Sequence, residues 1–83
     1  MNHEVVLTRN AQKHMRALPH TIRTRIRSRL RSLGDDPYRG AVKLKVAPGY
    51  RLRVGEYRIL YEVDDKRAVV TVKGIRHRRE AYK

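Results

Sequence analysis

The chain has 83 residues, of which 21 are Lys or Arg and 8 are Asp or Glu, so its formal net charge is +13 at pH 7. This length predicts one domain, residues 1–83, with a thin core. The lack of Cys excludes disulfides and thiolate metal sites and suits a reducing cytoplasm. No apolar run could span a membrane, and the first residues lack the apolar stretch of a signal peptide.

The positive charge is the most informative property of the composition. An apolar content of 40% predicts a folded chain. A large charge surplus destabilises a compact protein by self-repulsion, so it indicates a polyanionic partner, with nucleic acid first. An anionic membrane is disfavoured because the basic residues are not gathered on one amphipathic helix.

A short strand and a helix open the chain. Residues 3–8 (HEVVLT) are rich in β-branched side chains, which is typical of a strand. Thr8 or Asn10 can cap the helix that follows. The apolar residues of that helix recur at helical spacing at Ala11, Met15 and Leu18. Pro19 ends the pattern.

A second helix is predicted from about His20 to Leu33, with Gly34 as its stop. Its apolar stripe consists of Ile22, Ile26, Leu30 and Leu33. Alternate positions on its other sides are basic, at Arg23, Arg25, Arg27, Arg29 and Arg31. The first interpretation of these arginines is a solvated helix face.

After Tyr38 the apolar period changes from 3.6 to 2, which indicates strands. Four strands are predicted, at residues 41–47, 50–54, 57–63 and 67–73. Turns are predicted at Pro48–Gly49, at Gly55–Glu56 and at Asp64–Lys66. The order β-α-α-β-β-β-β predicts an α+β fold, in which a two-helix hairpin packs on a mostly antiparallel sheet of four to five strands.

Two predicted loops set the register of the last three strands. The Gly55–Glu56 loop places Arg53 opposite Arg58. The Asp65–Lys66 loop predicts the next pairs to be Ile59–Val72, Tyr61–Val70 and Val63–Ala68. One face of the sheet is then apolar and can bury against the helices. The other face carries a row of Arg53, Arg58 and Lys73, with Arg51 one step away.

Such a row needs a physical reason, because like charges on neighbouring strands are destabilising. One interpretation is an exposed face of long, snorkelling side chains. The favoured one is a phosphate cradle, because arginine donates two parallel hydrogen bonds to a phosphate. The last residues add Arg76, Arg78, Arg79 and Tyr82. A single aromatic ring among cations suits stacking on a base, and a frayed basic terminus is the alternative.

The stretch YRLRVGEYRILYEV, followed by a strand and GIRHRREAY, resembles the RelE family of the RelE/ParE superfamily of bacterial toxins. RelE-type toxins are the toxin half of a toxin–antitoxin pair. They enter the A site of the 30S ribosomal subunit and cut the mRNA there, by attack of the mRNA 2′-hydroxyl on its own phosphate. The resemblance therefore implies a cytoplasmic, metal-independent endoribonuclease without a cofactor. Its expected partners are the ribosome, mRNA and an acidic antitoxin.

The resemblance also implies roles for individual residues. The expected catalytic set is Arg51, Arg53, Arg58, Arg76 and Tyr82. Arg58 and Arg76 would neutralise the phosphorane, with Arg78 as a competing alignment for Arg76, and Tyr82 would stack on or orient the nucleotide. Residues expected to bind RNA are Lys73, Arg78 and Arg79.

The general base is a separate question, because lysine often stands in the family where this chain has Arg51 and Arg53. Arginine is effectively never deprotonated. The expected general acid or base is therefore His77 or Glu80, and the further candidates are Glu62 and Lys73.

Two other functions stay open from the sequence. One is a ParE-like inhibitor of DNA gyrase, and the other is an RNA-binding domain without chemistry. ParE-type relatives generally lack the full basic set and the terminal tyrosine, which favours the nuclease. The arginines of the second helix could also dock on ribosomal RNA or capture an acidic antitoxin tail. The four histidines have no metal-ligand spacing, so no metal site is predicted.

Overall fold

The elements follow one another in the order that the sequence predicts. The computed structural model describes residues 2–78. Its elements are β1 (Glu4–Leu7), α1 (Arg9–Ala17), α2 (His20–Asp35), β2 (Val42–Lys43), β3 (Tyr50–Val54), β4 (Tyr57–Asp64) and β5 (Val69–His77). They form an α+β fold, so the predicted fold class is confirmed. Among the described residues, no helix is long and apolar enough to cross a membrane.

Local contacts fix where the first helix begins and the second ends. The hydroxyl of Thr8 accepts a hydrogen bond from the N–H of Ala11 at 3.2 Å, which confirms Thr8 as the N-cap of α1. α2 continues past the predicted stop, because Gly34 lies inside its last turn. A Cβ on Gly34 would lie 3.0 Å from the carbonyl oxygen of His3, so glycine here lets the start of β1 pass close to the helix.

One arginine of α2 holds the corner between the two helices. The guanidinium of Arg23 donates hydrogen bonds of 3.0, 3.1 and 2.8 Å to the carbonyl oxygens of Met15, Arg16 and Leu18. The end of α1 leaves the carbonyls of Arg16 and Leu18 without helical partners, whereas the carbonyl of Met15 also accepts the N–H of Leu18. Arg23 therefore fastens the helical hairpin and does not belong to the solvated face that the sequence predicts.

The five strands form one sheet in the order β1-β5-β4-β3-β2. β1 and β5 are parallel, and the other neighbours are antiparallel. Both helices contact one face, which we call the helix side. The core between that face and the helices includes Leu52, Ile59, Val70, Val72, Ile26 and Leu33. Alternate residues of the strands point to the opposite face, which we call the outer face.

The strand predicted at residues 41–47 is shorter than expected. Only Val42 and Lys43 pair with β3, and Val46 is 99% exposed. The chain leaves the sheet early because Gly49 has a φ of 112°, and its carbonyl accepts the N–H of Leu44 at 3.0 Å. A Cβ on Gly49 would lie 2.5 Å from the carbonyl oxygen of Tyr61, so this turn requires glycine.

The predicted register of the β3–β4 hairpin is confirmed. Gly55 has a φ of 60° and opens a two-residue loop with Glu56. The observed pairs are Val54–Tyr57, Arg53–Arg58, Leu52–Ile59, Arg51–Leu60 and Tyr50–Tyr61.

The turn between β4 and β5 is longer than predicted. It comprises residues 65–68, with Ala68 at a φ of 56°, in place of a two-residue loop at Asp65 and Lys66. The predicted pairs are therefore wrong, namely Ile59–Val72, Tyr61–Val70 and Val63–Ala68. The observed pairs near the turn are Tyr61–Val72, Glu62–Thr71, Val63–Val70 and Asp64–Val69. This shift of two residues keeps each of these side chains on its predicted face.

A β-bulge changes the register again along the same two strands. It adds Lys73 to β5 opposite the step between residues 60 and 61 of β4. Beyond the bulge the pairs are Leu60–Gly74, Ile59–Ile75, Arg58–Arg76 and Tyr57–His77. The predicted place of Lys73 beside Arg58 is therefore wrong, and Arg76 occupies that place.

His3, Tyr38 and Asp65 meet at the end of the sheet that contains the β4–β5 turn. The hydroxyl of Tyr38 donates to Oδ2 of Asp65 at 2.6 Å, and Nε2 of His3 lies 2.9 Å from Oδ1. The hydrogen bond between Tyr38 and Asp65 raises the pKa of the tyrosine to about 12 and lowers the pKa of the carboxyl group. This cluster joins the start of β1, the segment after α2 and the β4–β5 turn.

Among residues 2–78, Tyr61 is the largest fully buried side chain, and 1% of its surface is exposed. Its hydroxyl donates to the carbonyl oxygen of Pro37 at 2.7 Å. Burial raises the pKa of Tyr61 to about 12, because the phenolate would lose its hydration. Tyr61 therefore connects the centre of β4 to the segment that follows α2.

We expect alkaline pH to weaken the fold through Tyr61. Its folded pKa lies above the unfolded value of about 10, so its contribution to stability is complete below pH 10 and is lost as the pH rises towards 12. Tyr61→Phe should lower the free energy of unfolding by about 0.5–1.5 kcal/mol at pH 8, through loss of one hydrogen bond. Urea unfolding from pH 8 to 12 should show a smaller alkaline fall for the variant than for the wild type.

Tyr38 also has a raised pKa and titrates in both proteins, so the difference between the two curves isolates Tyr61. Parallel curves for the wild type and Tyr61→Phe would contradict this assignment.

Candidate functional site

Three arginines lie side by side across three adjacent strands. Arg53 of β3 faces Arg58 of β4, which in turn faces Arg76 of β5. All three lie on the outer face, because their strand neighbours Leu52, Ile59 and Ile75 are buried on the helix side. Neighbouring strands are about 4.8 Å apart, so the three residues span about 10 Å. We call them the arginine row.

Arg51 adds a fourth cation to the same face. It lies on β3 two residues before Arg53 and faces Leu60. Arg53 and Arg76 are exposed, whereas Arg51 and Arg58 are half-buried. Nε of Arg53 donates to the carbonyl oxygen of Gly55 at 3.1 Å, which anchors this side chain to its own hairpin loop.

Most of these cations have no acidic partner in the described part of the chain. Within residues 2–78 the salt bridges are His3–Asp65, Lys73–Glu62 and Arg78–Glu56. None of them involves Arg51, Arg53 or Arg76. Like charges held this close repel one another, and a bound anion would relieve the repulsion.

The bulge that aligns Arg76 is supported by a histidine of α1, whose role the sequence reasoning missed. Nδ1 of His14 accepts a hydrogen bond from the backbone N–H of Ile75 at 3.1 Å. A Cβ on Gly74 would come within 3.3 Å of the same imidazole ring, so the ring packs closely on this glycine. A glycine inside a strand is the sequence signal that could have indicated the bulge.

His77, one of the two predicted acid–base residues, lies away from the arginine row. It faces Tyr57 on the neighbouring strand, and their rings meet edge to face with centroids 5.1 Å apart. The two side chains line a cavity together with His14, Leu18 and Ile75 on the helix side. The imidazole is therefore on the opposite side of the sheet from a phosphate bound at the row.

The remaining predicted site residues lie at the edges of the row or outside the described residues. Nζ of Lys73 is 2.9 Å from Oε2 of Glu62. Arg78 follows β5, where its backbone N–H donates to the carbonyl oxygen of Glu56 at 2.6 Å and its guanidinium lies 3.9 Å from the same residue's carboxylate. Three predicted site residues lie outside residues 2–78, namely Arg79, Glu80 and Tyr82.

The arrangement can bind and stabilise negative charge. Arginine side chains fork towards phosphate oxygens in a fixed geometry and stay protonated, so the row supplies hydrogen-bond donors and no base. Within residues 2–78 no three metal-ligating side chains come together.

Comparison with known proteins assigns the chain to a family. The family model described as ParE toxin of type II toxin-antitoxin system, parDE, matches residues 5–82. The chain belongs to this toxin family. No curated protein matches the toxin in sequence.

Solved structures similar to the toxin include several RelE proteins. A chain of the RelBE2 toxin–antitoxin complex from Mycobacterium tuberculosis is 27% identical with a TM-score of 0.87, and the match covers 94% of this chain and all 100% of that one. A chain of the RelE–RelB complex from Pyrococcus horikoshii is 25% identical with a TM-score of 0.80, covering 94% and 97%. The isolated RelE toxin of E. coli is 27% identical with a TM-score of 0.79, covering 90% and 83%. The predicted membership of the RelE/ParE superfamily is confirmed.

We expect the arginine row to cost the toxin stability. Arg76→Gln removes one of the facing cations and should raise the free energy of unfolding by up to about 1 kcal/mol at low salt. The gain should shrink at high salt, because salt screens exposed charges. Urea unfolding at two salt concentrations measures both effects.

Arg67→Gln is the matched control, because Arg67 is an exposed arginine in the turn next to Asp64 and Asp65. This variant should not gain stability. If Arg76→Gln is no more stable than the wild type at low salt, repulsion within the row does not lower the stability of the toxin.

Proposed function

We propose that the toxin is an endoribonuclease that cleaves mRNA in the A site of the 30S ribosomal subunit and so inhibits translation. The observation that carries the proposal is the arginine row with Arg51, four cations on one face of three neighbouring strands. The structural similarity to RelE toxins supports it. The place of action is the cytoplasm, where ribosomes and mRNA meet.

The proposed reaction is an internal attack within the RNA. The 2′-oxygen forms a bond to the adjacent phosphorus, the bond from phosphorus to the 5′-oxygen breaks, and the products carry a 2′,3′-cyclic phosphate and a 5′-hydroxyl. The phosphorane between these states has extra negative charge. Fixed donors aimed at that charge are typically worth 10²–10³-fold in rate each.

We assign the arginines different roles in this reaction according to their positions in the row. Arg58 lies on β4, the middle strand of the row, and Arg76 of β5 faces it directly. We assign these two to the reacting phosphate, as the RelE resemblance implies. Arg51 and Arg53 lie on β3 to one side, and we assign them to the phosphate on the neighbouring nucleotide.

The proton must leave the 2′-hydroxyl and reach the 5′-oxygen through another group. The arginines stay protonated, and His77 lies on the helix side. Of the two predicted acid–base residues, we therefore propose Glu80, which lies outside the described residues. Glu80 and Tyr82, predicted to orient the nucleotide, follow β5 beyond the described residues.

The partner implied by the family is an antitoxin. The similar RelE proteins from Mycobacterium tuberculosis and Pyrococcus horikoshii occur in complexes with their antitoxins. A chain with a net charge of +13 favours an acidic partner. We propose that an acidic antitoxin binds this toxin and blocks its activity.

A second candidate function is inhibition of DNA gyrase. The family model that matches residues 5–82 is that of ParE toxins, which favours this alternative. The arginine row argues against gyrase inhibition. Its like charges repel one another and lower the stability of the fold, and a bound RNA phosphate or the phosphorane of the cleavage reaction would relieve that repulsion.

The test is cleavage of a defined mRNA in a reconstituted translation reaction. Primer extension should detect cuts within the codon in the A site. Arg58→Ala and Arg76→Ala should each lower the cleavage rate by about 10²–10³-fold, because each removes one donor from the transition state. Arg67→Ala removes the same charge in the β4–β5 turn and should cleave at the wild-type rate.

Circular dichroism of each variant checks that the fold is intact. Wild-type cleavage by folded Arg58→Ala and Arg76→Ala variants would contradict the assigned roles. Gyrase-linked DNA breaks without any mRNA cleavage would support the second candidate, and RNA binding without cleavage would indicate a binding domain.

A further inference from the structure

The outer-face strand positions differ in charge between the two ends of the sheet. The arginine row lies at one end. At the other end the outer-face positions of β4 and β1 are acidic, at Glu62, Asp64 and Glu4. Asp64 and Glu4 both face Val69 of β5, so they belong to one cross-strand row. Three of the chain's 8 acidic residues therefore lie on this one face.

Lys73 lies between the two ends, and Glu62 holds it. Nζ of Lys73 is 2.9 Å from Oε2 of Glu62, and the two side chains are 55% and 43% exposed. The bulge that brings Arg76 opposite Arg58 is centred on this lysine. An exposed pair of this kind contributes little to the stability of the fold, so either partner can be replaced without unfolding the protein.

A polyanion placed on this face meets arginines at one end and, at the other, acids mixed with Lys66 and Lys73, which line the same groove as Glu62 and Asp64. An RNA strand that follows β4 from Arg58 would reach Glu62 and Asp64, which repel its phosphates. An RNA strand that crosses the β-strands along the arginine row passes over three outer-face cations, Arg53, Arg58 and Arg76. The charge pattern therefore favours the crossing direction.

We propose that Glu62 is a specificity-determining residue that marks the end of the RNA-binding surface. It holds Lys73 in an ion pair that cancels the charge of the lysine, so the bound RNA crosses the strands and contacts few phosphates. This inference rests on the proposed RNA binding at the arginine row, and it adds the direction and the length of the bound segment.

Glu62→Gln tests the boundary with almost no change in shape. The variant removes the negative charge and frees Lys73 to contact one more phosphate. Each added phosphate contact to single-stranded nucleic acid steepens the slope of log affinity against log salt by about 0.7. Between 50 and 200 mM salt, the affinity of Glu62→Gln should therefore fall about 2.6-fold more than that of the wild type.

The experiment measures RNA binding by the full chain in four forms. Fluorescence anisotropy with 2′-O-methyl RNA oligonucleotides, which lack the attacking hydroxyl, gives affinities from 50 to 200 mM salt. The wild type and Lys73→Gln should have equal slopes, because Glu62 already occupies the lysine. Glu62→Gln should be steeper, and the double variant Glu62→Gln with Lys73→Gln should return to the wild-type slope.

The outcomes separate this inference from the proposed function. Equal slopes in all four forms would overturn the boundary, as would a gain in Glu62→Gln that persists in the double variant. Arg76→Ala, measured in the same assay, reports on the row itself. If its affinity equals that of the wild type, RNA does not bind at the row, and the proposed function fails together with the inference. Thermal unfolding of each variant checks that it is folded.

Discussion

The pairing of Arg58 with Arg76 depends on one irregularity in the β4–β5 ladder. Without the extra residue at Lys73, strand alternation from the buried Val72 would put residue 76 on the helix side and residue 75 on the outer face. The bulge reverses this order, so that Ile75 is buried and Arg76 faces outwards. His14 supports it from the helix side, by accepting the N–H of Ile75. A histidine on α1 thus contacts the strand at the place where the bulge turns Arg76 to the outer face.

The contacts that stabilise the fold lie away from the repelling arginines. Tyr61 reaches from β4 to Pro37, and Asp65 joins His3 to Tyr38 at the end of the sheet that contains the β4–β5 turn. A chain of 83 residues has a small core, so repulsion of about 1 kcal/mol is a sizeable part of its net stability. These polar contacts therefore do not depend on the residues of the arginine row.

Much of the fold follows from local sequence signals, and the candidate site follows only in part. The β3–β4 register was predictable because Gly55 dictates a two-residue loop, so Arg53 was correctly paired with Arg58. Ala68 in a left-handed conformation has no comparable signal, because a non-glycine residue with positive φ is uncommon, and the bulge at Lys73 has only the indirect signal of Gly74 inside the strand. Residue type alone therefore identified the basic set. The place of Arg76 in the row depends on the bulge, which His14 contacts from α1.

The divided outer face treats nucleic acid and protein partners differently. A nucleic acid carries one sign of charge along its whole length, so the four arginines at one end of this face attract it most strongly. A protein partner can place carboxylates opposite the arginines and cations opposite Glu62, Asp64 and Glu4, and so match the whole face. A protein that covers this surface therefore has contacts that RNA cannot make. The proposed antitoxin would then outcompete the proposed RNA ligand at the row, although both would bind the same cations.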